Sequence, residues 1–181
     1  NNMSSLSLFS SKSSDLSGEI IIPGDKSISH RCIILSSLAI GESKITGLLN
    51  SSDVFCTINC MKSLGSSIDF NVHDECIING IGIGSLKQSE RPIDFGNSGT
   101  AARLILGLVS TYPIETLFIG DDSLSQRPMK RVTEPLVDFG ANFNLRNSEF
   151  LPIKVKGTEF PIPITHEMKV ASAQVKSAIM L

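Results

Sequence analysis

Tryptophan is absent from the 181 residues, and tyrosine occurs once. No apolar run reaches the roughly 20 residues of a membrane-spanning helix, so no helical membrane span is expected. Neither sign of charge dominates: 16 Lys and Arg stand against 18 Asp and Glu, a net charge of −2. That balance argues against a general nucleic-acid binder, which needs a basic surface. No signal peptide is visible, and the serine-rich opening NNMSSLSLFSSKSSDLSG lacks the arginines of a transit peptide. Met3 reads as a natural start, with Asn1 and Asn2 an addition ahead of it. Cysteine is sparse. Cys56 and Cys60 lie four apart on an expected helix, so they share a face as small core residues; Cys32 and Cys76 stand alone. A metal centre would need further ligands, and the closest histidine is His73, so no metal is expected. Free thiols in a reducing cytoplasm are the expectation.

What is present suits a folded core. Apolar residues make up 41% of the chain, and its length fits one domain, or one domain and part of another. The chain also repeats itself. Gly24 precedes Arg31 by seven residues, with Lys26 and Ser27 between them and an apolar helix pattern after. Gly96 precedes Arg103 by the same interval, across Asn97, Ser98, Gly99 and Thr100, with LILGLV after. Lys169 precedes Lys176 likewise, across Ser172, Ala173 and Gln174, with SAIML after.

The second halves of the units agree. SKITGLL reads as a strand. SDVFCTINCMKSLG reads as a helix capped by Ser52 or Asp53 and stopped at Gly65, with strands SSIDFNV and CIINGI after it. In the second unit, IETLFIG is a strand. PMKRVTEPLVDFG is a helix entered through Pro128 and stopped at Gly140, and NFNLR and PIKVKG are strands. Pro135 inside that helix should kink it or shorten its first turn. Each unit is therefore expected to be β-α-β-α-β-β or close to it. A third unit begins near residue 160 and runs to Leu181 with no stop signal, so the residues are expected to be the front part of a longer protein.

All three units place small and polar residues at the first turn of a helix that is otherwise apolar nearly all round, the pattern of a buried helix. Such a helix start carries free N–H groups and the positive end of the macrodipole. Gly99, Ser27 and Ser172 let an anion approach that backbone closely, and Lys26, Arg31 and Arg127 add full positive charge. Cations are disfavoured at a helix start, so the basic RPMKR also points to an anionic ligand. Packing three units around a pseudo-threefold axis brings three helix starts together, as a site for a substrate with several negative groups. His30 has no evident partner and reads as structural.

The motifs PGDKSISHR, GNSGTAAR, GDDSLSQRPMKR and ASAQVKSAIML, in this order and spacing, resemble the signatures of the 3-phosphoshikimate 1-carboxyvinyltransferase (EPSP synthase) family, over about Gly18 to Leu181. RPM and SAQVK are similar to its bacterial branch. The resemblance implies an α/β (α+β) enolpyruvyl transferase fold: two domains of three β-α-β-α-β-β units, with helix starts facing the cleft between them. Residues 1–20 would supply a strand, near residues 4 to 20, to the other domain. Residues 21–181 would form most of one domain with its third repeat incomplete. It implies transfer of the enolpyruvyl group of phosphoenolpyruvate to the 5-hydroxyl of shikimate 3-phosphate, in aromatic amino-acid and chorismate biosynthesis. It further implies no cofactor, a cytoplasmic monomer when full length, and no nucleic-acid or membrane partner.

Carried over by motif, Lys26 would be the catalytic residue, in contact with both phosphoenolpyruvate and shikimate 3-phosphate and close to the reacting hydroxyl. Ser27 and Arg31 would hold shikimate 3-phosphate, with Arg31 on its carboxylate. Gly99 and Arg127 would bind phosphoenolpyruvate, with Asn97 shaping that turn. Ser172 would take the 3-phosphate, and Gln174 would lie against the ring. Ala173 stands where some members have a second serine, so one phosphate contact is missing or is made by backbone. Arg103 and Lys176 would be supporting residues only. The acid–base partners and further cations would come from the other domain. Insensitive members carry Ala at the glycine of GNSGT, so retention of Gly99 implies sensitivity to glyphosate.

Two other readings fit parts of the pattern. The sister transferase acting on a UDP-amino sugar carries a cysteine in a PCA-like loop, which is absent here, and Lys-Asn where this chain has Lys26-Ser27. A non-catalytic anion-binding half is the reading from a different class, and it suits the 181 residues taken alone.

Overall fold

The computed structural model describes residues 8–13, 15–73 and 75–181. Residues 8–13 and 15–25 hold no helix or strand, and Ile20, Ile21 and Ile22 are exposed. The strand expected near residues 4 to 20 falls partly outside the described residues, as do Met3, Asn1 and Asn2; within them it does not form. The first element among the described residues is α1 (Lys26–Leu38). Asp25 is its N-cap: the carboxylate Oδ1 accepts the Ile28 N–H at 2.7 Å. Then follow β1 (Ile40–Ile45), α2 (Ser52–Ser63), β2 (Ser67–Phe70) and β3 (Cys76–Ile81). The three strands form an antiparallel sheet in the order β1-β3-β2.

The next stretch repeats this plan with one element more: β4 (Ile93–Asp94), α3 (Gly99–Ser110), β5 (Glu115–Ile119), α4 (Lys130–Asp138), β6 (Asn142–Arg146) and β7 (Phe150–Lys156). Its sheet order is β4-β5-β7-β6, with β4 and β5 parallel across the α3 crossover and the other pairs antiparallel. The second unit is thus β-α-β-α-β-β, as expected, whereas the first is α-β-α-β-β. By the repeat, Ile21 and Ile22 stand before Gly24 as Ile93 and Asp94 stand before Gly96, yet among the described residues they form no strand. The third unit contributes α5 (Ala173–Met180), with no helix or strand across residues 157–172.

Several boundaries differ from the sequence expectation. β1 starts earlier than SKITGLL and also ends sooner, at Ile45, ahead of Gly47, whose φ of +69° breaks the extended run. Ser51 caps α2, in place of Ser52 or Asp53: its hydroxyl accepts the Val54 N–H at 3.3 Å. α4 begins at Lys130, two residues after Pro128, with Pro135 buried inside it. Among the described helices only α3 is buried nearly all round, every residue except Arg103. α1 buries Ser29, His30, Ile33, Ile34 and Ser37 but leaves Ile28 and Leu35 exposed, and α5 buries Val175 and Ala178.

α3 is therefore the central rod, and α1, α2, α4 and α5 all pack on it. Its neighbour α5 comes so close that a Cβ on Gly107 would lie 2.1 Å from the Ala178 carbonyl oxygen. Beneath α3 the Phe95 and Phe118 rings stack at 4.9 Å, inside the second sheet's buried face. This packing fixes the relative positions of the α1, α3 and α5 starts.

Candidate active site

The first turns of α1, α3 and α5 are tied together by side chains. Arg31, on α1, reaches across to α5: Nε and Nη2 donate to Ser177 Oγ at 3.1 and 2.7 Å, and Nη2 donates to the Ala173 carbonyl at 3.3 Å. Arg103, on α3, donates from Nη1 to Gln174 Oε1 at 3.0 Å, and Gln174 Nε2 donates to Thr100 Oγ1 at 2.9 Å. The two arginines also make the same internal bond. Arg31 Nη1 donates to the Ser27 carbonyl at 3.1 Å, and Arg103 Nη1 to the Gly99 carbonyl at 3.0 Å, each four residues back. Equal spacing in the repeat has produced equal geometry. Around the α1–α5 junction lies an open cleft of about 540 Å³ lined by Ser27, Ile28, Arg31, Ser172, Ala173 and Gln174. Four of these are the residues expected to hold the phosphorylated ring. Ser172 caps α5, accepting the Val175 N–H at 3.3 Å, which leaves its hydroxyl proton free to donate into the cleft.

The α3 start carries a second group. Ser98 caps the helix by accepting the Ala101 N–H at 3.1 Å, and Gly99 is buried behind it. Asn97 sits between a cation and an anion: Oδ1 accepts from Arg127 Nη2 at 2.8 Å, and Nδ2 donates to Asp121 Oδ2 at 2.6 Å. Arg127 Nη2 also donates to Ser123 Oγ at 3.1 Å. Asp121 is held below the usual carboxylate range by the Leu124 N–H and then by the Asn97 amide. Burial lowers the Arg103 pKa, and the charges of Arg127 and Arg131 lower it further. Three guanidinium groups thus share one field beside the α3 N-terminus, which favours an anion there.

Lys26 points elsewhere. Its Nζ lies 3.0 Å from Asp53 Oδ2 in the first turn of α2, with the lysine side chain half exposed. Asp53 is partly buried, but the half-exposed lysine makes this pair worth little as a staple, and a ligand can compete for the ammonium group. Below it His30 is fully buried, with Nδ1 2.6 Å from Thr57 Oγ1 and, among the described residues, no partner for Nε2. Burial pushes its pKa down to about 4; Asp53 opposes this, while Lys26 and Arg31 add to it. His30 is structural, as expected, and Thr57 is the partner that the sequence did not reveal.

Ser27, Arg31, Ser172 and Gln174 meet at one cleft, and Asn97, Gly99 and Arg127 meet beside it, joined to it through Arg103. Lys176 does not join them: it is exposed, in a groove with Phe139, His166 and Ile179. Arg103 has the geometry of a supporting residue, since it links Gly99 to Gln174. Its offset from Gly96, equal to that of Arg31 from Gly24, was the signal. Asp53, Asp121 and Ser177 carried no such signal, because each matters through a contact across the fold.

Residues 10–181 match the family model of EPSP synthase (3-phosphoshikimate 1-carboxyvinyltransferase). The chain is 48% identical over 180 residues to the 3-phosphoshikimate 1-carboxyvinyltransferase of Parvibaculum lavamentivorans, covering 99% of this chain and 40% of that protein. It is 50% identical over 170 residues to the same enzyme of Bartonella henselae, covering 94% and 38%. The solved EPSP synthase of Acinetobacter baumannii superposes with a TM-score of 0.85 at 36% identity, covering 90% of this chain and 37% of that one. The chain thus spans about two fifths of the length of these relatives.

Proposed function

The chain belongs to the EPSP synthase family, and from that premise we propose that it is part of an enzyme moving the enolpyruvyl group of phosphoenolpyruvate onto the 5-hydroxyl of shikimate 3-phosphate, with release of phosphate. The observation that carries this reading is the convergence of three helix starts through Arg31 and Arg103. Both substrates carry several negative charges, and a preorganised field of N–H groups and guanidinium groups is what such a reaction requires. Ser27, Arg31, Ser172 and Gln174 hold shikimate 3-phosphate in the 540 Å³ cleft. Asn97, Gly99 and Arg127 hold phosphoenolpyruvate at the α3 start. Lys26 exchanges Asp53 for substrate and stands near the reacting hydroxyl.

The reaction adds the hydroxyl to the enol carbon and then eliminates phosphate, so it also needs acid–base groups within hydrogen-bond reach. In this reading they come from a second domain of the same protein, to which residues 1–20 also contribute, while residues 21–181 form most of the first. The complete protein is a cytoplasmic monomer, and the 181 residues alone bind without turning over, because closure of two domains completes such a site.

Phosphate release by the full-length protein, supplied with phosphoenolpyruvate and either shikimate 3-phosphate or a UDP-amino sugar, tests the reading. Release with shikimate 3-phosphate alone is expected. Release with the UDP-amino sugar alone would assign the site to the sister transferase, and release with neither would leave an anion-binding module.

A further inference from the structure

Cys56 and Cys60 are one turn apart on α2 and aim at the same atom. Cys56 Sγ lies 3.4 Å and Cys60 Sγ 3.9 Å from the Asp94 carbonyl oxygen. Cys56 is partly exposed, whereas Cys60 is completely buried. The Cys56 thiol beside it, then burial, then the nearby Asp94 hold Cys60 well toward its protonated form. Neither thiol has a part in the anion site described above. Three features narrow what the pair can bind. Cβ atoms four apart on a helix are about 5–6 Å from each other. A disulfide needs about 3.5–4.5 Å, so the pair is too wide to close directly without bending the helix. Among the described residues no group of three or more His, Cys, Asp or Glu side chains is placed to hold a metal, which removes a tetrahedral zinc centre. A dithiolate would also put negative charge in a buried place against a carbonyl oxygen, which is costly.

We propose that Cys56 and Cys60 form a bidentate site for a trivalent arsenical, bridged by one arsenic atom into a neutral ring. With an aryl arsenoxide, the partly exposed Cys56 thiol adds first and Cys60 closes the ring. Two S–H bonds and the arsenic–oxygen bond break, two As–S bonds form, and the oxygen leaves with both protons as one water. Arsenic stays trivalent, so no oxidant or reductant is consumed. A bridging atom spans the gap that is too wide for a disulfide, and the product carries no charge into the core. The Asp94 carbonyl loses both thiol donors, two residues ahead of Gly96 in the turn that leads to Gly99.

Phenylarsine oxide added to the folded 181-residue chain, followed by intact mass measurement, provides the test. One phenylarsenic group per chain is expected, removed by excess dithiol and retained in excess monothiol. Cys32→Ser and Cys76→Ser should keep the adduct. Cys56→Ser and Cys60→Ser should each lose it, and Cys56→Ser, at the partly exposed position, serves where Cys60→Ser does not fold. Retention of the dithiol-sensitive adduct in folded Cys56→Ser would overturn the assignment. So would failure of the folded parent chain to take up the probe, or its loss in Cys32→Ser or Cys76→Ser.

Discussion

The guanidinium of Arg31 grips Ser177 through two of its nitrogens, at 3.1 and 2.7 Å, across 146 residues of sequence. It spends a third contact on the Ala173 carbonyl and a fourth on that of Ser27. Hydrogen bonds to a charged donor contribute about 1.5–3 kcal/mol each when partly shielded from water. Arg31→Ala should therefore lower the unfolding free energy by roughly that much in urea titration. Arg31→Lys should recover only part of it, because the planar fork is lost. A loss under about 0.5 kcal/mol, the level of an ordinary surface substitution, would show that water already screens the bridge.

Gly107 sits mid-helix in α3, where alanine is ordinarily better by about 1 kcal/mol. Here the added methyl would meet the Ala178 carbonyl oxygen at 2.1 Å, a backbone atom that no rotamer change can move. Overpacking of this kind costs about 1–3 kcal/mol, so the clash outweighs the propensity gain. Gly107→Ala should be net destabilising in thermal melts, and it should push α5 away from Arg31 and Arg103. A raised melting temperature would mean that α5 packs less closely than described.

His30 should make stability depend on pH. Its pKa is about 4 when folded against 6.5 when exposed, so between those values the unfolded chain binds more protons. The contribution is complete above pH 6.5, is lost as the pH falls toward 4, and is gone below it. It amounts to at most about 3 kcal/mol. His30→Leu should flatten the stability curve across that window in denaturant titrations at several pH values. An unchanged slope would assign the effect to the carboxylates instead.

Gly99 is the first residue of α3 and its φ is not left-handed, so backbone conformation does not demand glycine there. A methyl at this position would lie 2.7 Å from Arg103 Nη1, and 3.6 Å from Arg127 Nη1. The Arg103 side chain can yield, which makes Gly99→Ala tolerable for folding. In the full-length protein we expect sensitivity to glyphosate, and Gly99→Ala should weaken that inhibitor more than the shorter phosphoenolpyruvate. Inhibition and substrate constants measured in one variant decide this. Equal losses would show that displacing Arg103, and not filling ligand space, is what the methyl does.

The repeat, the helix starts and most of the residues that converge there were legible in the sequence, because the offset from glycine to arginine places equivalent side chains in equivalent turns. That offset even marked Arg103, whose bond to Gly99 copies that of Arg31 to Ser27. The Lys26–Asp53 pair, the Asn97 bridge between Arg127 and Asp121, and the Thr57 partner of His30 were not legible. They join segments 24 to 30 residues apart, whose approach depends on how the helices pack. Ile21 and Ile22 occupy the repeat positions of β4, but they form no strand among the described residues. Hydrophobic pattern alone does not say which edge a strand will find.

The central claim is that the starts of α1, α3 and α5 act as one anion site. Titration of the isotopically labelled 181-residue chain with shikimate 3-phosphate, followed by backbone amide shifts, tests it most directly. The amides of Ser27, Gly99 and Gln174 should move together and report one weak dissociation constant, with no comparable shift at Lys176. Separate constants at the three helix starts, or movement at only one of them, would contradict the claim.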